Sequence, residues 1–165
     1  MKNYNLPASI ILLIALQLIF FNNIIIFKGL FPIIYIIFII FYNLNEGTKP
    51  SFLFYSFLLG LILDIFTNTP GLNAFSAVFA AYTRKFILGL IKKNYFTESS
   101  YFKFSSLNFI ELSIYVFLVT LVHHSSLYLL EGFKISSIAT VLLKSLCNSI
   151  LSSFFILLFS FFKKD

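Results

Sequence analysis

Charge is what this sequence has least of. Asp, Glu, Lys and Arg make up 11% of its 165 residues, against about 25% in a soluble domain. With 59% hydrophobic residues and a mean hydropathy of +0.96, too few charges remain to cover a water-facing surface. The chain is an integral membrane protein by composition. Its net charge of +6 would suggest nucleic acid in a soluble domain. Here the cations cluster between apolar runs, where they set membrane orientation, and no nucleic-acid partner is expected. Cysteine is reduced to Cys147, which excludes an intramolecular disulfide, and its apolar setting holds nothing to activate a thiol. A β-barrel needs alternating polar positions, and these runs are apolar on every side. A Walker loop, a Rossmann glycine pattern, a Ser-His-Asp set of workable spacing and a paired-Cys site are all missing. The chain is therefore expected to be no enzyme and to carry no cofactor or metal. His123 and His124 are adjacent, and neighbours on a helix point about 100° apart, which does not suit one ion bound from one face.

What is present is a series of apolar runs. The first, from Leu6, is followed by no small-x-small cleavage site and is read as a retained helix rather than a signal peptide. At about 20 residues per span, the chain is expected to form a single all-α transmembrane domain over residues 1–165. Its six helices are placed at about 6–27, 30–43, 51–66, 71–91, 107–130 and 138–162. Pro32 suits the first turn of the second helix, where its missing N–H costs nothing. That run is short for a full span. Gln17 is the one polar residue inside the first run, placed to bond across helices or to lie near the headgroups. Ala77 and Ala81, four apart, offer a face for close packing of helix backbones, within the chain or against a partner. Tyr42, Tyr55 and Tyr128 fall near run ends, as interfacial anchors do.

With six spans, the termini and the even-numbered loops share one side. That side holds Lys2, Lys49, Arg84, Lys85, Lys92, Lys93, Lys103, Lys163 and Lys164, and the other holds Lys28 and Lys134. The asymmetry predicts that both termini are cytoplasmic.

The chain is organised around the stretch from Gly60 to Ala81. Asp64 lies among Leu and Ile one helical turn before a polar break, Thr67-Asn68-Thr69-Pro70-Gly71. An ionised carboxylate there is expensive without a task or a partner. Gly71 after Pro70 calls for a positive φ. Other charges and polar groups inside the runs are Arg84, Glu111, His123, His124, Glu131 and Lys144. Their depths make Asp64 with Lys144, and Arg84 with Glu111, candidate ion pairs, with snorkelling of Arg84 and Lys144 to the headgroups as the alternative.

At these residues the chain resembles a known family. Gly60-Leu61-x-x-Asp64, followed by Gly71-Leu72-Asn73-Ala74 after Pro70, is similar to the signature of rod shape-determining proteins of the MreD family. The likeness extends to Gln17 with Asn22-Asn23, to Ala81-Tyr82-x-Arg84-x-Phe86-Ile87-Leu88, to His123-His124 and to Leu130-Glu131-x-Phe133. It is greatest to the version found in Bacteroidota. One departure is Thr83-Arg84-Lys85, where the family pattern has a proline after the arginine.

The resemblance implies a non-enzymatic scaffold of the cell-wall elongation machinery in the cytoplasmic membrane. It implies direct binding to the bitopic protein MreC. MreB, a SEDS glycosyltransferase and a class B penicillin-binding transpeptidase are the indirect partners it implies. It also implies a fold similar to the substrate-binding subunit of energy-coupling-factor vitamin transporters. That subunit is the alternative identity, but its Ala-x-x-x-Ala docking pattern is missing from the first helix, where Ala8 and Ala15 are seven apart. A lipid or ion transporter is a third reading, supported only by the buried charges.

Overall fold

The computed structural model describes residues 6–22, 30–42, 49–92, 104–132 and 138–162. All the regular structure among them is helical: α1 (Leu6–Leu16), α2 (Ile36–Phe41), α3 (Pro50–Thr67), α4 (Leu72–Ile91), α5 (Phe109–Gly132) and α6 (Ile138–Phe162). Four of these, α3 to α6, are long and apolar enough to cross a membrane, which is the architecture of a multi-pass membrane protein. They pack in chain order, α3 on α4, α4 on α5 and α5 on α6. Pro50 opens α3 at a position where no N–H is required. A capping box opens α5: Asn108 Oδ1 accepts from the Glu111 N–H at 2.8 Å, and Glu111 Oε2 accepts from the Asn108 N–H at 2.9 Å.

The first two runs behave differently. Helix α1 passes into a π turn, Gln17–Phe21, closed by the Asn22 N–H on Gln17 O at 2.8 Å. Residues 23–27 of the expected first helix lie outside the described residues, as do Lys2, Lys28, Lys93, Lys103, Lys134, Lys163 and Lys164. The helix expected over 30–43 is a helix only over the six residues of α2, about 9 Å of rise. Pro32 does not sit in a helical turn; residues 31–34 are non-helical and buried or nearly so. Their backbone donors are met by side chains. Asn148 Oδ1 accepts from the Phe31 N–H at 3.0 Å, Ser152 Oγ from Ile33 at 2.9 Å and Gln17 Oε1 from Ile34 at 2.7 Å. Pro32 has no N–H to satisfy, and its carbonyl accepts from Gln17 Nε2 at 3.2 Å. Non-helical backbone survives at membrane depth only when buried and bonded in this way.

The crossing of α3 and α4 rests on Gly60. A Cβ there would lie 2.5 Å from Ala74 Cα and 2.6 Å from Asn73 O, so the two backbones touch. Helix α4 answers with small residues: Ala74, Ala77, Ala80 and Ala81 are all buried. The packing face expected of Ala77 and Ala81 is thus used inside this chain. Tyr128 is also inside, 4% exposed and stacked on His124 with ring centroids 6.0 Å apart, not an interfacial anchor.

Arg84 anchors the opposite end. It is fully buried, and its guanidinium carbon lies 4.0 Å from the centroid of the Phe52 ring. Its Nη1 donates to Ile39 O and Tyr42 O at the carboxyl end of α2, where carbonyls lack intrahelical partners and a cation complements the dipole. The ion pairs expected from depth do not form: Glu111 is occupied by its cap, Asp64 bonds elsewhere and Lys144 is exposed. Depth along a helix does not fix the face on which a residue points, and these residues point apart.

Two outcomes follow. Gly60→Val, which collides with backbone, is expected to lower the melting temperature in detergent more than Gly71→Ala, where nothing lies within 4 Å of the added Cβ and only left-handed strain of roughly 1–2 kcal/mol is introduced; the reverse order would refute the contact. The double variant Arg84→Glu with Glu111→Arg is expected to accumulate no better than Arg84→Glu alone, measured by in-gel fluorescence of tagged protein.

Candidate functional site

Asp64 ends the buried face of α3, and its carboxylate reaches across to the start of α4. Oδ1 accepts from the Asn73 N–H at 2.9 Å, from Asn73 Nδ2 at 3.0 Å and from Thr69 Oγ1 at 2.7 Å; Oδ2 accepts from the Ala74 N–H at 2.9 Å. The side chain of one helix thus caps the next, with a full negative charge at its positive end. The turn between them makes this reach possible. Asn68 takes the left-handed conformation (φ 56°, ψ 37°) and closes α3, and the Thr69 N–H returns to Asp64 O at 3.1 Å. Gly71 follows Pro70 at φ 80°, ψ 0°, the third residue of a type II turn, as its sequence requires.

From Asn73 the polar chain runs inward. Tyr35 Oη donates to Asn73 Oδ1 at 3.3 Å and lies 2.6 Å from His123 Nε2. The phenol has one proton and two acceptors in reach; where Asn73 takes it, His123 Nε2–H donates to Tyr35 Oη. In that tautomer imidazole, phenol and amide all donate towards the Asp64 carboxylate, and aligned bonds of this kind strengthen one another. His123 Nδ1 then carries a lone pair, and it makes no hydrogen bond among the described residues. His124, at right angles to His123, bonds Ser152 Oγ at 3.0 Å.

Ser152 belongs to a stripe on α6 that the candidate residues did not include: Ser145, Asn148, Ser149, Ser152 and Ser153, all buried. Ser153 bridges to Thr120 of α5 at 2.8 Å. Tyr35 and Thr69 were missed too. The α6 stripe was visible as small polar residues at helical spacing; Tyr35 carried no such signal.

Around this chain lies a half-open pocket of about 290 Å³. Gln17, Asn22, Tyr35, Thr69, Asn73 and Glu131 are its main polar lining, and Phe31, Ile33, Leu63, Leu72 and Leu127 its apolar walls. Gln17 is held by Ile34 on one side and by Asn22 Oδ1, at 2.9 Å, on the other. Of the candidate site residues, Gln17, Asn73 and Glu131 meet at the pocket. Asp64 and His123 stand one bond behind it, and Gly60, Pro70 and Gly71 shape the junction beside it. Arg84 and Glu111 belong to the other half of the bundle, and Lys144 lies on its exposed surface.

Asp64→Asn is expected to destabilise the protein by about 1–3 kcal/mol, because its amide turns a donor towards N–H groups left without an acceptor. In ¹⁵N spectra of histidine-labelled protein, His123 is expected as the Nε2–H tautomer; an Nδ1–H signal would overturn the direction assigned to the chain.

No protein-family model, curated protein or solved structure matches this chain.

Proposed function

We propose that the chain is a non-enzymatic scaffold of the cell-wall elongation machinery, of the MreD type, seated in the cytoplasmic membrane and binding MreC directly. Through MreC it acts beside MreB, the SEDS glycosyltransferase and the class B transpeptidase. In this reading the chain crosses six times with both termini in the cytoplasm. The second crossing is a broken one, non-helical residues 31–34 followed by α2. Its fold is then similar to the substrate-binding subunit of energy-coupling-factor transporters.

One observation carries the reading. The residues by which the sequence resembles that family are scattered along the chain, and part of them, Gln17, Asn22, Gly60, Asp64, Gly71, Asn73, His123 and Glu131, gather at or beside one pocket, while Arg84 and its neighbours lie in the other half of the bundle. The pocket itself favours a second reading, the vitamin-binding transporter subunit, because a scaffold has no need of a cavity.

Depletion is expected to turn rod-shaped cells round, and detergent pull-down of the tagged protein to bring down MreC. Recovery of an energy-coupling ATPase with a bound vitamin, and no MreC, would establish the transporter instead.

A further inference from the structure

The hydrogen-bond capacity of the pocket is one-sided. The one proton of Tyr35 is taken up by Asn73 Oδ1 or His123 Nε2, and Asn73 Nδ2 gives both of its protons, to Asp64 and Thr69. Thr69 donates to Asp64, Thr67 to Leu63 O, and Gln17 Nε2 to Asn22 Oδ1 and Pro32 O. Among the described residues the one lining side-chain donor left over is Asn22 Nδ2. Acceptor capacity, by contrast, remains on Tyr35 Oη, Asn73 Oδ1 and Asn22 Oδ1, each with a second lone pair. Glu131 adds a carboxylate that accepts from no described residue. Among the described residues it is also the one charged member of the lining, in a chain where Lys and Arg number 12 and Asp and Glu 6.

A pocket that offers acceptors and a negative charge suits a ligand that only donates. A primary ammonium is three donors and no acceptor. The walls are apolar, and the rings of Phe31 and Tyr35 favour a cation nearby. The volume stands at the bottom of the roughly 300–1,000 Å³ range of ligand pockets, which bounds the molecule's size.

We propose that this pocket binds the ammonium group of a small primary amine with an apolar body, held by Glu131 at the rim and by the Tyr35 and Asn73 oxygens at the floor. The pocket lies where α3 and α5 end and α4 begins, at one end of the candidate spans, so the same chemistry is offered by a free amine and by the headgroup of phosphatidylethanolamine. The proposal does not rest on the scaffold reading.

The test uses the full chain in nanodiscs of phosphatidylglycerol alone, titrated with 2-phenylethylamine and, separately, with phenylacetate. Saturable stabilisation by the amine, none by the anion, and a shift of the His123 ring nitrogens on binding are expected. Glu131→Gln, at an exposed position, leaves the fold intact and is expected to weaken the amine roughly tenfold, the loss of one charge-assisted bond. Equal stabilisation by phenylacetate, no stabilisation by either probe, or an unchanged affinity in Glu131→Gln would overturn the proposal. In discs containing phosphatidylethanolamine, loss of the amine's effect identifies the lipid headgroup as ligand, and its persistence identifies a free amine. MreC pull-down is a separate measurement, so failure here leaves the scaffold reading to its own test.

Discussion

The Asp64 carboxylate is the interaction on which the rest depends. Unpaired in an apolar bundle it would cost several kcal/mol. It is stable because two backbone N–H groups of α4, the Thr69 hydroxyl and the Asn73 amide converge on it. Each donor requires something further. Asn73 and Ala74 come near enough only because Gly60, one turn earlier, has no side chain. Thr69 comes near enough because Asn68 turns the chain back at positive φ, and Gly71, also at positive φ, brings α4 round to the carboxylate. The Asn73 amide, once oriented by the carboxylate, orients Tyr35, which in turn orients His123. One negative charge thereby fixes a helix crossing, a turn and the floor of a pocket.

The polarity of the bundle is arranged inside out. Ile65, Phe86, Leu90, Ile110 and Ile138 face outward, while Arg84, His123, His124, Asn148 and Ser149 are buried. Lipid gives apolar side chains no reason to seek the interior, so helix association draws on close packing and interhelical hydrogen bonds. Small residues on α4 supply the first and the serine stripe on α6 supplies the second. Arg84 plays at one end a part that mirrors Asp64 at the other: a buried cation on the carbonyl end of α2, a buried anion on the amide end of α4.

Much of this was legible in the sequence. The four long helices follow from apolar runs, and the ends expected for α3 and α4, at 51–66 and 71–91, fall within a residue of Pro50–Thr67 and Leu72–Ile91, because proline, glycine and asparagine mark turns by local chemistry. The demand for a partner at Asp64 and the positive φ at Gly71 were legible for the same reason. The non-helical stretch at residues 31–34 was not. Its sequence is as apolar as any helix here, and what unwinds it is a set of side chains, Asn148, Ser152 and Gln17, distant in sequence. The partners of Arg84 were hidden too, since they are backbone carbonyls, which no sequence pattern distinguishes.

Residues 31–34 have a consequence for biosynthesis. Phe31 and Ile33 find their acceptors on Asn148 and Ser152, separated by 117 and 119 positions. Translation delivers the early segment long before the helix that completes it. Until the last span is made, those amides need other company: water, a chaperone or the insertion machinery itself. The amino-terminal part of the chain therefore reaches its final form late, and truncation within the final helix injures the beginning of the molecule as much as its end.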